Sequence, residues 1–448
     1  MARRRRKLQP EEALSLREIM DAWPLLVPAD RLDSFRSLER TIGEELFLGL
    51  STRNQADLVL ALPSAERRSW VRMLPPDDAA DLVQQIEPRR REEILALLDD
   101  PTRKEVTGLL AYSEDAAGGL MNPRYAQVRP DLSVDEAIAY LRKQTRERVE
   151  MLHYVYVLDR EQHLLGVVSY RDLFAARAEQ KVQEIMRTKL TTVRPDTDQE
   201  TLGRLFATHR LVAIPVVDAE GRMQGIVTLD DIVEVVQEEA TEDIQKIGGT
   251  EALDAPYLQI TLASMVRKRA GWLTALFLGE MLTATAMGRF QDEIAHAVVL
   301  ALFVPLIISS GGNSGSQAST LVIRAMALGE VQLRDWWRVV KREIGAGLAL
   351  GAILGSIGFL RITIWSTFST LYGPHWLLVA VTVALALVGV VLWGTLIGSL
   401  LPIVLRRLGF DPATSSAPFV ATLVDVTGLV IYFSIGLLVL HGTLLKPQ

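Results

Sequence analysis

The C-terminal part of the chain contains five apolar segments, each of about the length that a membrane-crossing helix requires. About 20 residues are needed to cross roughly 30 Å of hydrocarbon. The segments cover residues 270–287, 295–310, 344–371, 377–405 and 418–440. Charged side chains are distributed accordingly, with 84 before residue 270 and 18 after it. The sequence therefore predicts a membrane protein with a soluble, acidic N-terminal part, and it excludes a single soluble globule.

Basic residues in the connections between these segments predict their orientation. The connections after the second and fourth segments contain Arg324, Arg334, Arg338, Lys341, Arg342, Arg406 and Arg407. The other two connections contain Arg289 and no further Lys or Arg. Because Lys and Arg accumulate in cytoplasmic connections, residues 1–269 are predicted to be cytoplasmic. The expected location is the cell inner (plasma) membrane, crossed several times.

The basic N-terminal run MARRRRKLQP is followed by polar residues and not by the apolar stretch of a secretory signal. It is interpreted as a solvated tail, with contact to anionic lipid headgroups as the alternative. The chain has no cysteine and six histidines. Soft and borderline metals prefer thiolate or imidazole ligands, so zinc, copper and iron–sulfur chemistry is disfavoured, and disulfides are excluded.

A single carboxylate lies within the fifth apolar segment. Ala417, Ala421, Asp425 and Gly428 recur at helical spacing, which gives a face of small residues that carries one acid. Charges at mid-membrane are rare and are usually functional. Asp425 is therefore a candidate ligand for a cation that prefers oxygen. The alternative is an interhelical hydrogen bond or salt bridge, although no basic residue in the segments is an obvious partner.

Polar residues in the other segments leave more than one interpretation open. The run IISSGGNSGSQAST, residues 307–320, must lie against protein or line a water-filled path, and Asn313 and Gln317 would share a face if it is helical. Tight helix packing alone is the alternative. Glu280 serves either in packing or ion pairing or in an ion path. Arg361 is interpreted as reaching towards the membrane surface.

The soluble part begins with a short repeat. Prolines recur at positions 63, 75, 88 and 101, and each precedes a charged stretch and an apolar helical pattern. Proline favours the first turn of a helix. The repeat therefore predicts a small superhelical domain of stacked helices.

A longer repeat starts at residue 121. MNPRYAQVRPDLSVDEAIAYL aligns with MRTKLTTVRPDTDQETLGRLF, and HYVYVLDREQHLLGVVSYRDL aligns with AIPVVDAEGRMQGIVTLDDIV. Each copy has strands, an amphipathic helix and a final Ser/Thr-x-x-Asp. The arrangement resembles a tandem pair of cystathionine-β-synthase (CBS) domains. That resemblance implies an adenine-nucleotide cleft, with ATP as a regulator. The candidate residues are Tyr154, Ser169, Arg171 and Asp172 in the first copy, and Thr228 and Asp231 in the second. Helix capping by either acid is the alternative.

Two groups of acids stand out in the soluble part. Seven acids and no Lys or Arg lie between residues 230 and 243, and like charges on one helix face repel. Asp77, Asp78 and Asp81 lie at a predicted helix start, where the helix dipole also favours them. A divalent cation such as Mg²⁺ or Ca²⁺ would draw two acidic surfaces together, and its loss would let them separate.

The order of these parts, together with GGNSGSQ and TLVDVTG, resembles the MgtE family of magnesium channels over nearly the whole chain. The resemblance implies a multidomain fold: an all-α superhelical N-terminal domain, α+β tandem CBS domains and an α-helical membrane domain of five transmembrane helices. The expected boundaries are 1–35 (basic tail), 36–120 (helical domain), 121–186 and 187–240 (CBS domains), 241–265 (connecting plug helix) and 266–448 (pore domain).

The resemblance also implies a homodimer with Mg²⁺ as both substrate and regulator. The pore ion would be held at Asp425, with Ala421 supplying backbone or space. The cytosolic sensing acids would be Asp77, Asp81, Asp231, Glu239, Glu242 and Asp243. Mg²⁺ binding to them is expected to close the channel. A nucleotide-sensing membrane-anchored protein without transport, or a Co²⁺ or Mn²⁺ transporter, is the alternative. The sequence favours neither an enzyme nor a nucleic-acid partner, and it predicts contact with membrane lipid.

Overall fold

The computed structural model describes residues 16–23, 26–145, 153–253, 257–258 and 260–444. The chain divides into a soluble unit, Met1–Gln237, and a membrane unit, Glu238–Gln448. The soluble unit combines a helical domain with two α+β modules, and the membrane unit is helical. The three-part fold class expected from the sequence is confirmed.

The helical domain is built from short helices that begin at or next to prolines. The helices are Leu16–Ala22, Pro28–Ser37, Arg40–Leu48, Thr52–Ala61, Ser64–Val71, Pro76–Gln84, Pro88–Leu95, Asp100–Leu109 and Ala117–Leu120. Pro63 and Pro75 precede the first turns of their helices, and Pro88 and Pro101 lie within them. Proline is tolerated at these positions because a backbone N–H in the first turn of a helix has no acceptor within the helix, so its absence costs no hydrogen bond. The periodic prolines therefore mark helix starts, as predicted.

The expected basic tail, residues 1–35, is corrected by the structure. Residues 16–23 and 26–35 belong to the helical domain, where Ile19, Trp23 and Phe35 are buried in its core. The ring centroid of Phe35 lies 4.8 Å from that of Trp70. The basic run ends at Lys7, and apolar residues at helical spacing follow from Leu16, which accounts for the earlier start of the domain. Residues 1–15 lie outside the described part.

The two α+β modules repeat one strand pairing. The strands are β1 (Gln127–Val128), β2 (Tyr154–Leu158), β3 (Leu164–Ser169), β4 (Ala213–Val217) and β5 (Met223–Thr228), and the helices are Val134–Thr145, Tyr170–Ala175, Val182–Ile185 and Gln199–His209. Antiparallel β2–β3 and β4–β5 pairs carry Tyr154 opposite Ser169 and Ala213 opposite Thr228. Each Ser/Thr-x-x-Asp thus starts at the end of an equivalent strand, as the sequence repeat predicts.

A long acidic helix, Leu229–Ile247, follows β5 directly. The helix expected over 241–265 is therefore different in the structure: it continues the acidic helix and ends at Ile247, and the described residues between Ile247 and Leu262 are not helical. Gly248 and Gly249 end it, with Gly249 at φ +73°, a conformation that favours glycine. The division between the two units falls within the acidic helix.

Five helices in the described residues are long and apolar enough to cross a membrane. We call them the first to fifth spans: Leu262–Arg289, Val298–Ala327, Leu333–Phe368, Trp376–Arg407 and Ala417–Leu440. The largest difference from the expected spans is at the end of the second span, which was expected at residue 310 and lies at Ala327. Its helix Val304–Ala327 continues through the whole Gly/Ser run, since neighbouring helices pack closely against it. The short helix Gln291–His296 and 3₁₀ turn Pro412–Thr414 lie in connections.

Glycines allow the backbones of the spans to approach one another. A Cβ atom on Gly398 of the fourth span would lie 2.0 Å from the carbonyl oxygen of Gly315 in the second. A Cβ on Gly355 of the third span would lie 2.8 Å from the carbonyl oxygen of Ala384 in the fourth. Small residues at helix crossings are typical of membrane bundles. This packing fixes the second span next to its neighbours.

Gly398→Ala is expected to disrupt this packing. The new methyl group meets backbone and not a flexible side chain, so the two helices must separate at a destabilisation of about 1–3 kcal/mol or more. The thermal unfolding midpoint and the monodisperse fraction in detergent should both fall. Gly345→Ala is the matched control, because a Cβ there meets nothing within 4 Å. Equal midpoints for the two variants would contradict the close approach.

Candidate metal sites in the two units

Asp425 lies on the fifth span against the glycines of the second. Its Oδ1 is 3.3 Å from the position of a Cβ on Gly312, and Cβ of Ala421 is also 3.3 Å from it. Asp425 and Ala421 are both half-buried. No ion pair in the described residues includes Asp425. The small-residue face predicted for this helix is thus in contact with the Gly-Gly step and leaves the carboxylate without a cationic neighbour.

The second span has two unlike faces. The small residues of its buried face are Gly311, Gly312, Ser314, Gly315, Ala318 and Ser319. Ser309, Asn313, Gln317 and Thr320 are exposed along the opposite side, and Nδ2 of Asn313 donates to Oγ of Ser309 at 3.3 Å. Helix packing within one chain explains the buried glycines but not the exposed amides. A polar face is unfavourable against lipid, so it must meet protein or water.

Glu280 of the first span lies near this region. Gly279 contacts the fifth span, where a Cβ would be 2.9 Å from Cγ2 of Thr422. The carboxylate of Glu280 is close enough to act electrostatically on that of Asp425. Arg361, in contrast, lies 6.0 Å from the ring centroids of Phe303 and Trp365 and is exposed.

The soluble unit gathers acids from distant parts of its sequence. Its acid cluster comprises Asp77, Asp78, Asp81 and Glu114 of the helical domain and Asp230, Asp231 and Glu234 of the acidic helix. A cavity of about 370 Å³ is lined by Pro75, Asp77, Asp78, Asn122, Arg124, His153, Ile226, Thr228, Asp230 and Asp231. Asp77, Asp81 and Asp231 were predicted as sensing residues, whereas Glu114 was not found by sequence reasoning.

Burial and mutual repulsion perturb these carboxyl groups. Burial, together with the charges of Asp78 and Asp231, raises the pKa of Asp81 to about 8. Burial likewise raises the pKa of Asp231 to about 7, with Asp230 and Asp78 contributing. The pKa of Asp78 rises to about 6 through burial, Glu234 and Asp230. The charged form of these carboxyl groups is therefore disfavoured in the protein alone, and a bound cation would favour it.

Hydrogen bonds fix the positions of several cluster members. Oγ1 of Thr228 donates to Oδ2 of Asp231 at 2.7 Å and also contacts Asp230. Nδ2 of Asn122 donates to Oδ1 of Asp77 at 3.2 Å. Arg124 lines the same cavity, but its guanidinium binds Glu105 and Thr102, each at 2.7 Å. The arrangement is suited to a hard divalent cation with oxygen ligands.

The stability of the soluble unit should fall as pH rises in the absence of divalent cations. A carboxyl group whose folded-state pKa is raised binds more protons when folded than when unfolded. The loss of stability is absent below the ordinary aspartate pKa of 3.8 and grows until the pH passes the folded-state pKa values of about 6 to 8. Thermal unfolding in EDTA should show a midpoint that decreases over this range, and Mg²⁺ should flatten the slope. Asp81→Asn should flatten it without Mg²⁺. A midpoint that rises with pH would contradict the repulsive cluster.

The predicted acids at the end of the acidic helix lie in the membrane unit. Glu239, Glu242 and Asp243 follow the division of the chain at Gln237. Glu242 binds Lys246, which also binds Asp411 at 2.7 Å. The run that the sequence suggests as one acidic face is thus divided between the two units.

The first Ser/Thr-x-x-Asp lies at an accessible strand end. Tyr154 and Ser169 are opposite in the β2–β3 ladder, so their side chains share a face of the sheet. Oγ of Ser169 accepts from the backbone N–H of Asp172 at 3.0 Å, so the serine and not the acid caps the following helix. Asp172 binds the exposed Arg187 at 3.1 Å, and Arg171 is exposed. The second copy differs because Asp231 belongs to the acid cluster.

A further acidic group lies in the β2–β3 turn. Asp159, Glu161 and His163 hold their ligand atoms within 4.8 Å of one another. Asp159 accepts from the backbone N–H groups of Glu161 and His163. Asp218 makes the same backbone bonds with Glu220 and Arg222 in the equivalent turn. The repetition indicates a turn-stabilising role for Asp159.

Comparisons with known proteins find similar sequences for the helical domain, the two α+β modules and the membrane unit. Residues 304–435 match the family model of MgtE, divalent cation transporter; 14–115 match the MgtE intracellular N domain; and 117–179 and 182–238 match the CBS domain. Magnesium transporter MgtE of Thermus thermophilus is 43% identical over 334 residues, covering 75% of this chain and 72% of that protein. Magnesium transporter MgtE of Enterococcus faecalis is 32% identical over 328 residues, covering 73% and 70%.

A solved structure is also similar: the cytosolic domain of the Mg²⁺ channel MgtE in complex with ATP. It is 38% identical, with a TM-score of 0.47, and the match covers 50% of this chain and 91% of that one.

Proposed function

Because the chain belongs to the MgtE family of divalent cation transporters, we propose that it takes up Mg²⁺ through a pore that cytosolic Mg²⁺ closes. The protein is a multi-pass membrane transporter and not an enzyme. The observation that carries the proposal is the Asp425 carboxylate, which lies against Gly312 without a cationic partner among the described residues. Such a carboxylate attracts a cation, and the small neighbours leave room for the ion's bound waters, which Mg²⁺ gives up reluctantly.

The proposed pore lies between two copies of the chain. Asn313 and Gln317 lie on the exposed polar face of the second span, which is unfavourable against lipid. A two-fold axis places the same face of a second copy opposite, and the two faces enclose a polar path. Asp425 and Ala421 of each copy then flank that path. A divalent ion that crosses a potential of −100 mV inward gains about 2 × 2.3 kcal/mol.

The acid cluster and the acids that follow it provide the proposed sensor. Asp78, Asp81, Asp231 and Glu234 repel one another when no cation is bound, and Asp77 lines the cavity beside them. Mg²⁺ removes the repulsion and binds the helical domain to the acidic helix, which favours the compact state. The acidic helix continues into the membrane unit, where Glu239, Glu242 and Asp243 lie, so compaction reaches the pore. Plentiful cytosolic Mg²⁺ therefore inhibits its own uptake.

ATP is proposed as a second regulator at the first CBS module. Tyr154 offers an aromatic face for a base and lies opposite Ser169 in the sheet, three residues before Asp172, which binds the exposed Arg187. Ser169 and Arg171 complete the set with a hydroxyl and an exposed guanidinium. If ATP binds there, it should shift the cytosolic Mg²⁺ concentration needed for half-inhibition, and Asp172→Ala should abolish the shift.

Reconstitution tests transport directly. Purified protein in liposomes of anionic and zwitterionic phospholipid, which imitate the proposed inner-membrane location, should admit Mg²⁺ down an imposed gradient. Co²⁺ and Mn²⁺ offered separately report the selectivity. Flux equal to that of protein-free liposomes would instead favour the membrane-anchored regulatory protein without transport.

A further inference from the structure

The end of the acidic helix carries a lysine that joins two carboxylates from distant segments. Nζ of Lys246 binds Glu242 one turn earlier and Oδ2 of Asp411, 165 residues later, at 2.7 Å. The lysine side chain is 27% exposed and both carboxylates are 37% exposed, so the group is partly shielded from water. Burial lowers the pKa of Lys246, but its hydrogen bonds to Asp411 and Glu242 outweigh that effect and raise it above the usual value. The ammonium is charged at physiological pH.

Asp411 lies at the start of the segment that leads into the fifth span. Its Oδ1 accepts from the backbone N–H of Ala413 at 2.8 Å and so begins the 3₁₀ turn Pro412–Thr414. Ser415, the residue after this turn, is fully buried, and its carbonyl accepts from Oγ of Ser319 in the second span at 2.9 Å. The segment whose aspartate Lys246 binds therefore leads into the fifth span, which carries Asp425, and is hydrogen-bonded to the second span, against which Asp425 lies.

A second contact joins the same regions. The turn after the acidic helix places Gly249 so close to the membrane helices that a Cβ would lie 2.7 Å from Nε1 of Trp272 and 3.2 Å from Cγ of Pro418. Nε1 of Trp272 donates to Oγ of Ser416 at 3.1 Å, and Ser416 caps the fifth span. The end of the acidic helix thus lies directly against the first turn of the span that carries Asp425.

From these contacts we propose that Lys246 is a positioning residue that couples the acidic helix to the fifth span through Asp411. Without its ammonium, Glu242 and Asp411 would repel each other, and a movement of the acidic helix would no longer reach the start of the span. The coupling cation is part of the chain, so the joint holds whether Mg²⁺ is present or not. Sensing at the acid cluster therefore uses different groups from transmission at Lys246, and Glu242 is the proposed sensing acid that contacts the lysine. The inference rests on the proposed gating by Mg²⁺.

Lys246→Met in the full-length protein tests the coupling. The response ratio is the Mg²⁺ flux at nominally zero cytosolic Mg²⁺ divided by that at millimolar cytosolic Mg²⁺. We expect the variant to lower this ratio about tenfold, within the range of coupling between linked sites. Lys246→Arg keeps the charge and should retain the ratio. The exchange Lys246→Glu with Asp411→Lys restores opposite charges and should recover most of it. Lys189→Met, at an exposed position in the soluble unit, is the matched control.

Each outcome bears on a different step. If cytosolic Mg²⁺ inhibits the native protein and Lys246→Met has the same response ratio, the coupling is overturned and the proposed function is left intact. A native protein that ignores cytosolic Mg²⁺ would reject the proposed gating, and the coupling with it. If Lys246→Met loses the response and neither Lys246→Arg nor the charge exchange recovers it, Lys246 acts in folding alone. That result would also overturn the inference.

Discussion

Asp425→Asn should reduce Mg²⁺ flux by about 100-fold while the protein stays folded. The amide keeps the size of the side chain but removes its charge, and interactions with charged groups are worth about 1.5–3 kcal/mol, where each 1.4 kcal/mol is tenfold. Asp425 contacts Gly312 and has no cationic partner among the described residues, so loss of the charge breaks no ion pair within this part of the chain. The measurement is the initial rate of Mg²⁺ uptake into liposomes.

The fifth span itself offers a matched control. Ser434 follows Asp425 by nine residues, which at 100° per residue places it on the opposite side of the helix, and it is exposed. Ser434→Ala should leave flux unchanged. Glu280→Gln distinguishes the two interpretations of that acid: reduced flux assigns it to the ion path, and native flux with lower stability assigns it to packing. Native flux in Asp425→Asn would contradict the pore.

Neutralising the acid cluster should remove the response to cytosolic Mg²⁺. The triple variant Asp78→Asn, Asp81→Asn and Asp231→Asn loses both the repulsion of the empty cluster and the ligands for the cation. Its flux should therefore be nearly the same at zero and at millimolar cytosolic Mg²⁺. The same substitutions should also remove the decrease in stability with pH, because they remove the carboxyl groups whose pKa is raised to about 6, 8 and 7.

Three exposed acids of the soluble unit provide the control for net charge. Asp57→Asn, Glu87→Gln and Glu200→Gln together remove the same charge at exposed positions. This triple variant should keep the native response to Mg²⁺. If both triple variants respond alike, the cluster is not the sensor, whatever the pore does.

Local patterns in the sequence are sufficient for much of the fold. The prolines predict helix starts because their effect on the backbone is confined to one turn. The paired repeats predict equivalent strands because register follows from alternating side chains. Asp425 is identifiable because a carboxylate is rare in an apolar segment. These inferences need no knowledge of distant contacts, and the fold class they predict is confirmed.

The remaining features depend on contacts between distant residues. The second span continues through its Gly/Ser run because Gly315 meets Gly398 of another helix, which no local pattern shows. Glu114 lies far from the acids of residues 230–243 in sequence, yet its charge, like those of Asp231 and Glu234, raises the pKa of Asp81. Lys246 and Asp411 are 165 residues apart. The sequence suggests the residue types of the sites, but only the folded chain brings these particular side chains together.

The most direct test of gating by cytosolic Mg²⁺ is the open probability of the purified protein after reconstitution into giant liposomes, measured in excised inside-out patches. Mg²⁺ on the cytosolic face is raised from nominally zero to millimolar levels while the opposite face is held constant, so that gating is measured apart from the driving force. We expect Mg²⁺ currents whose open probability falls steeply as cytosolic Mg²⁺ rises, and that are about 100-fold smaller in Asp425→Asn. Currents whose open probability is independent of cytosolic Mg²⁺ would contradict this gating.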